Sequence, residues 1–491
     1  METNAVIKKS YTSGQKIGLV LGVVLFVLIN WFIPFDGLTP QGRSVLATLA
    51  LVGTWWISEA LTTGIIGLIP LILFPVTGAL GAGPTAAAYG NNTIFMFFGG
   101  FAIALALERW NLHNRIALGI ISFVGTSLNR LVLGLILSAT FISMWVSNTA
   151  TALMLLPIGL AIGSKMQELL LAQDPNAVND AKKFKKSSIM AIGFGSIIGG
   201  SMTLIGTPTN ISLASFSSSL LGITVPFAPF ILFELPIAIA QIAIAVFVLN
   251  SIFYKTSIKN LDQGKNYIDG ERKALGKMSR EELIVSVVFA TTVFMWITLT
   301  FVWKNIIPGI SDTVISIIAA VVLFMIPNSK GTRILDADAV KNMPWAVILM
   351  LMGGMALAAG FSQTDLATWL GNQLLAFQNA SQFVLVSVVS GLSLLITQFA
   401  PNTATGTIMI PLAASIASAV NVEPFYLMTA AALGAGFAAT LPSGTPLMGI
   451  IYGQGDFEMK ELIKVGLAFV LVSFVMIVLT VNFLIPLVLG I

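Results

Sequence analysis

Cysteine is absent from the 491 residues, which excludes disulfides, thiolate metal centres and cysteine nucleophiles. Histidine occurs once, at His113, so multi-histidine metal sites are ruled out and little room is left for histidine acid–base chemistry. Charge is scarce: Asp, Glu, Lys and Arg make up 9% of the chain, against roughly a quarter in ordinary soluble proteins. A water-soluble globule is therefore excluded. The ~10-residue alternation that marks a transmembrane barrel is also missing. No nucleophile–base pair or metal cluster is visible, which argues against a membrane-embedded enzyme. Lys8, Lys9 and Lys16 precede an apolar run too long for a signal-peptide core, so no cleavable leader is expected.

What the chain has in abundance is apolar surface, at 56% of its residues. Runs of about twenty apolar residues recur from Lys16 onward, which predicts an all-α polytopic membrane protein. Spanning helices are expected near 17–34, 43–60, 62–81, 92–108, 187–217, 226–250, 283–303, 313–327, 345–361, 425–452 and 465–489. Two further stretches, 131–164 and 382–420, are long enough to enter and return. Each is broken by a polar tripeptide, Ser147-Asn148-Thr149 or Pro401-Asn402-Thr403. Read as re-entrant hairpins, they leave eleven crossings.

Lys and Arg concentrate on cytoplasmic loops. With the N-terminus cytoplasmic and the C-terminus outside, 23 of the 25 Lys/Arg fall on the cytoplasmic side, leaving only Arg43 and Lys304 outside. This orientation, in the cell membrane, is the expected one. The net charge of +4 is thus topological and implies no nucleic-acid partner. The hydrophilic stretch 254–282 reads as a plain cytoplasmic linker, with interfacial amphipathic helices as the alternative.

The two halves repeat. Gly99-Gly100 returns as Gly353-Gly354, Asn148-Thr149-Ala150-Thr151 as Asn402-Thr403-Ala404-Thr405, and Pro157 as Pro411, all at an offset of 254. Gly206-Thr207-Pro208 returns as Gly444-Thr445-Pro446 at an offset of 238, because the first half carries a longer basic loop at 165–186. An odd number of crossings between equivalent helices makes the repeat inverted, so the hairpins enter from opposite sides and their tips approach at mid-membrane. Inverted repeats with broken helices and a midplane site characterise secondary transporters.

At each tip, the Asn and Thr residues stand over a helix N-terminus, which carries about half a positive charge and unpaired N–H donors. The Gly-Thr-Pro segments interrupt the fifth and tenth helices and free backbone carbonyls, hard ligands for a small cation. Ser, Thr and Asn often serve only as packing glue between membrane helices. Duplication at fixed spacing within inverted hairpins points instead to a site. No ionisable residue lies near either tip, although a charge at the bilayer centre, costing ~2.5–3.5 kcal/mol, marks proton-coupled sites when present. Glu59, Glu108 and Glu234 are expected at solvated helix ends, and His113 in a structural or solvated connection. The glycine pairs are explained by close helix packing.

At Ser147-Asn148-Thr149, the repeated Asn402-Thr403 and the two Gly-Thr-Pro segments, the sequence resembles the divalent anion/sodium symporter (DASS) family of di- and tricarboxylate transporters. The resemblance implies a homodimer in which a scaffold domain holds the partner while a transport domain moves in an elevator-like step. On that division, residues 1–90 are N-terminal scaffold helices and 91–225 the first transport region, with hairpin 131–164. Residues 226–344 add scaffold helices and the linker, 345–460 form the second transport region with hairpin 382–420, and 461–491 the last transmembrane helix. By motif match, Thr149 and Thr403, with Ser147, Asn148 and Asn402, contact the substrate carboxylates, and Thr207, Pro208, Thr445 and Pro446 complete the set. The family's first sodium site falls on Ser143, Ser147, Asn148 and Gly206, and the second on Thr397, Ala400, Asn402 and Gly444. One departure is plain: Pro401 stands where the family pattern has serine.

The function expected is secondary transport of C4–C5 dicarboxylates such as succinate, fumarate, malate or 2-oxoglutarate. Pro401 tilts the expectation toward exchange, with sodium-coupled symport as the alternative and sodium the one candidate coupling ion. No other cofactor is expected. Rivals are a tricarboxylate or sulfate carrier on the same fold, a channel, disfavoured by the paired hairpins, and a cation/proton antiporter, disfavoured by the missing carboxylates.

Overall fold

A computed structural model describes residues 11–256, 264–373 and 380–489. The expected cytoplasmic residues Lys8, Lys9 and Lys259 lie outside the described residues. The described residues are predominantly helical. Among the described residues the only extended pairing is an isolated bridge between Pro327 and Arg333.

The first half comprises α1 (Ser13–Phe32), α2 (Pro40–Ser58), α3 (Thr63–Ile66), α4 (Ile69–Thr77), α5 (Ala82–Tyr89), α6 (Asn92–Arg109) and α7 (Leu112–Val124). It continues with α8 (Leu128–Ser143), α9 (Asn148–Gln173), α10 (Val178–Met202), α11 (Pro208–Leu221) and α12 (Phe227–Phe253). Then come α13 (Gly264–Ala274), α14 (Arg280–Ile306), α15 (Asp312–Met325) and α16 (Ala337–Lys341). The second half holds α17 (Trp345–Gln363), α18 (Leu366–Gln373), α19 (Gln382–Thr397) and α20 (Asn402–Ala419). It ends with α21 (Pro424–Gly436), α22 (Pro446–Gly453) and α23 (Met459–Val488). Local chemistry sets many of the starts. Thr12 and Ser279 close capping boxes with Gln15 and Glu282, and Thr39 caps α2 with Pro40 at its first position.

Seven helices among the described residues are long and apolar enough to cross a bilayer. Others of the eleven expected are shorter or built of two pieces. The stretch 62–81 is not one regular helix: Gly67 and Leu68 lie between α3 and α4, and Pro70 in the first turn of α4 supplies no N–H to continue the ladder. The basic segment 165–186 is not a loop either. Helices α9 and α10 run into it from both sides, and only residues 174–177 turn, with Asp174 accepting from the Asn176 amide at 2.9 Å. The described part of the stretch 254–282 carries α13, whose Gly264 and Ile268 are buried and which packs on α7.

Both segments fold as pairs of helices joined at the polar tripeptides. Arms α8 and α19 each span 16 residues in matching positions, while the return arm α9 is longer than α20, at 26 against 18 residues. Helix α10 packs on α8 and α9, and α21 on α19 and α20. Each broken helix then crosses over: α11 leaves the first half to pack on α20 and α21, and α22 packs on α9 and α10. This exchange sets the two breaks side by side. The glycine pairs are packing residues: Gly99 lies against the Ser316 backbone and Gly353 against Gly67.

At the helix ends, Arg109 grips Asp336 through two hydrogen bonds of 2.8 and 2.6 Å, which hold the Asp336 carboxyl down to about 2. His113 is buried with its ring against the Leu107 carbonyl at 3.3 Å, a structural role. Glu59 and Glu108 are exposed as expected. Glu234 is not: α12 begins at Phe227, which places Glu234 about two turns inside the helix, where it is 0% exposed. The orientation read from the charges gives a direct expectation. A cysteine at Lys183 or Lys273 is labelled only from the cytoplasmic face, and one at Lys304 only from outside. Labelling of position 273 by an impermeant thiol reagent applied outside would reverse the topology.

Candidate functional site at the hairpin tips

Four helix N-termini converge on one cavity of ≈ 760 Å³. From the first half, Ser147, Asn148 and Thr149 open α9 and Thr207 and Pro208 open α11. From the second, Pro401, Asn402 and Thr403 open α20 and Thr445 and Pro446 open α22. All nine candidate substrate residues thus line the same space. Each N-terminus leaves backbone N–H groups without helical partners, so the cavity is biased toward an anion. The mouth carries Thr12, Gln15, Ser58 and Glu59, so the cavity opens on the side where α1 begins. Among the described residues, Glu59 is the one ionisable residue on its wall.

Behind the tips the two halves build the same arrangement twice. The Ser143 hydroxyl donates to the Ser196 carbonyl at 2.7 Å and sits 3.2 Å from Asn148 Oδ1. The Thr397 hydroxyl likewise bonds the Ala435 carbonyl at 2.8 Å and Asn402 Oδ1 at 2.9 Å. Asn402 completes its amide by donating to the Gly436 carbonyl at 3.0 Å. Gly206 and Gly444 close each group: a Cβ on Gly206 would stand 2.9 Å from the Ser143 carbonyl oxygen, and one on Gly444 2.5 Å from that of Thr397. Ala400 is buried beside its tip. The structure therefore brings both candidate cation sets together, as clusters of hydroxyl, amide and carbonyl oxygens without a carboxylate.

The tips differ in one respect. Ser147 Oγ accepts from the Ala150 amide at 3.4 Å and caps α9, whereas α20 starts after Pro401 without a side-chain cap. Asn148 and Asn402 are first helical residues rather than caps, and their side chains turn back onto the hairpin.

Two further residues hold the breaks open, and sequence reasoning passed over both. Asn210 Nδ2 donates to the Ser201 and Thr203 carbonyls at 2.8 and 2.9 Å, pinning the end of α10. In the second half the task falls to Gln398. Its Oε1 accepts from the Ala439 and Thr440 amides, both at 3.2 Å, and its Nε2 donates to the Leu394 and Phe437 carbonyls at 2.8 and 3.1 Å. The repeat did not flag them because position 448 is Met448 and position 144 is Met144. Gln398→Leu strands two buried N–H groups at about 1–3 kcal/mol each. The thermal midpoint of the detergent-purified protein should fall clearly, and an unchanged midpoint would refute the clamp.

The sodium:sulfate symporter transmembrane region matches residues 15–490. The chain belongs to this family. It is a multi-pass membrane transporter and not an enzyme. The chain is 41% identical over 489 residues to the sodium-dependent dicarboxylate transporter SdcS of Staphylococcus saprophyticus, covering 98% of this chain and 94% of that one. It is 38% identical over 490 residues to SdcS of Staphylococcus aureus strain USA300, covering 99% and 94%. Two solved structures share the fold alone. The Alcanivorax borkumensis YdaH transporter aligns with a TM-score of 0.53 at 13% identity over 97% of both chains. Neisseria gonorrhoeae MtrF aligns with a TM-score of 0.56 at 10% identity, over 96% of this chain and 95% of the other.

Proposed function

We propose that the protein carries C4–C5 dicarboxylates across the cell membrane with sodium as the coupling ion. The observation that carries this reading is the pair of hairpin tips meeting in one cavity. Each offers a threonine hydroxyl and a helix N-terminus, so two carboxylates separated by a short carbon chain have one tip apiece. The names of the staphylococcal relatives support the same substrate class and the same ion.

Sodium suits the oxygen clusters behind the tips. Ser143, Ser147, Asn148 and Gly206 would hold one ion, and Thr397, Ala400, Asn402 and Gly444 a second. Bound there, the ions supply positive charge that offsets the dianion in the membrane interior. The chain's own part is to hold the breaks apart, aim four helix ends into the cavity and keep carboxylates of its own away from the tips. On the charge-based orientation the cavity faces the cytoplasm, so release of substrate inward is the state described. A second copy, joined through scaffold helices while the transport regions move, completes the proposal.

Pro401 favours a second reading, exchange, because the uncapped α20 leaves the second half-site less built than the first. Uptake of labelled succinate into proteoliposomes separates the two. Sodium-driven uptake into empty vesicles supports symport. Counterflow that persists without sodium, with no uptake into empty vesicles, supports exchange. Failure of succinate to enter under any condition, with sulfate or citrate entering instead, would overturn the dicarboxylate assignment.

A further inference from the structure

We propose that the elbow between α7 and α8 binds one anionic phospholipid, its phosphate held by Arg130 and Arg272 and its acyl chains laid along the outer face of α7. Helix α7 ends at Val124, and Gly125 turns the chain at a φ of +111°, a conformation that favours glycine. Two guanidinium groups gather on this turn from different elements. Arg272 of α13 donates from Nη1 to the Ser122 hydroxyl at 2.8 Å. Arg130, in the first turn of α8, folds back: a Cβ on Gly125 would stand 3.1 Å from its Cδ and 3.3 Å from its Nη1. On the same turn sits Phe123, 92% exposed and the most exposed large apolar side chain among the described residues. Ile116 and Ile120 precede it at helical spacing and are half-buried, so the outer face of α7 is apolar up to the two arginines.

The charge at this elbow is not spent within the protein. Among the described residues neither arginine forms an ion pair. Asp269 and Glu271 share α13 with Arg272, yet neither pairs with it. A guanidinium carries five donors in a planar fork. Arg272 uses one of them on Ser122 and Arg130 uses none, and both side chains are exposed. The nearby Arg115 is the contrast, since it is consumed by the Glu282 carboxylate and the Leu275 and Gly276 carbonyls. Topology asks only that basic residues lie on one side of the membrane. It does not ask two unpaired guanidiniums to converge on an exposed phenyl ring.

The chemistry selects the occupant. The arginine fork matches phosphate oxygens, and a lipid phosphate brings acyl chains that cover Phe123 and the face behind it. Free phosphate would leave that ring bare. A zwitterionic headgroup would set its ammonium beside two guanidiniums, whereas a headgroup of net negative charge would not. A lipid of the phosphatidylglycerol type meets all these conditions. Because α8 is the entry arm of the first hairpin, the bound lipid would tether the root of that hairpin to the membrane surface.

The test titrates the detergent-purified, full-length protein with phosphatidylglycerol. Native mass spectrometry counts the lipid retained, and the thermal midpoint is read alongside. Wild type should hold one phosphatidylglycerol, and gain in midpoint, at concentrations where phosphatidylcholine is not retained. Arg130→Gln loses no protein partner, so its lipid-free midpoint should match wild type while the concentration for half-retention rises about tenfold. Adding Arg272→Gln should raise it further, and Phe123→Ser alone should raise it several-fold. Lys182→Gln with Lys330→Gln removes two exposed charges elsewhere and should change retention by less than about two-fold. Unchanged retention in Arg130→Gln would overturn the proposal. So would an equal loss in the lysine control, which would make the attraction diffuse. Inorganic phosphate that raises the midpoint as far as phosphatidylglycerol does would overturn it too, because the acyl chains would then contribute nothing.

Discussion

Alanine at Thr149 or at Thr403 is expected to lower succinate transport by about 10- to 150-fold while leaving the protein folded. Both residues line the cavity, and neither side-chain hydroxyl hydrogen-bonds another described residue. The Thr407 hydroxyl bonds the Thr403 carbonyl at 2.8 Å, a main-chain contact that alanine preserves. The hydroxyls are therefore free for a ligand, and their removal should spare packing. A hydrogen bond to a charged group is worth roughly 1.5–3 kcal/mol, which sets the range. Initial rates in proteoliposomes, with thermal midpoints as the folding control, measure it. Wild-type rates in both variants would remove the tips from the substrate site.

Alanine at Gly206 or Gly444 should be as damaging through a different route. At Gly206 the new Cβ would meet the Gly200 carbonyl oxygen at 2.5 Å and the Ser143 carbonyl oxygen at 2.9 Å. At Gly444 it would meet the Thr397 and Gln398 carbonyl oxygens at 2.5 and 2.9 Å. These are backbone atoms with no rotamer to escape into, so the carbonyls that would face a cation must move. Overpacking of this kind costs about 1–3 kcal/mol, or roughly 5- to 150-fold in affinity. The expected signature is a rise in the sodium concentration needed for half-maximal uptake. Gly449→Ala is the control: its Cβ finds only an ordinary 3.7 Å contact with the Pro442 carbonyl. A sodium response in Gly206→Ala equal to that control would dissociate the glycine from the cation.

Much of this site could be read from the chain because it is written twice. A tripeptide of Ser, Asn and Thr in one apolar run is ambiguous; its return at the same spacing from a proline and a glycine pair is not. The hairpin arms, the breaks at Gly206 and Gly444, and the convergence of the tips all follow from that duplication. Features occurring once were harder to see. Gln398 and Asn210 do the same work from different elements, so no repeat betrays them. Glu234 also occurs once: the span expected from 226 already held it about two turns inside, and a lone acid in an apolar run carries no signal that separates a solvated carboxyl from a buried one. The basic run at 182–186 suggested a loop by its charge. Its lysines instead ride on α10 and pair across the chain, Lys185 with Asp456 at 3.1 Å and Lys186 with Glu461 at 2.6 Å.

The width of the cavity has a consequence for what must move with the solute. A cavity of ≈ 760 Å³ holds many water molecules besides a small dianion. Any rearrangement that seals the mouth between Thr12 and Glu59 must drive most of that water out on one side, and opening the other side must draw a comparable amount in. The cycle therefore does work against osmotic pressure as well as against the solute gradient. A crowded or concentrated solution on one face biases the resting population toward the form whose open vestibule lies on the opposite face.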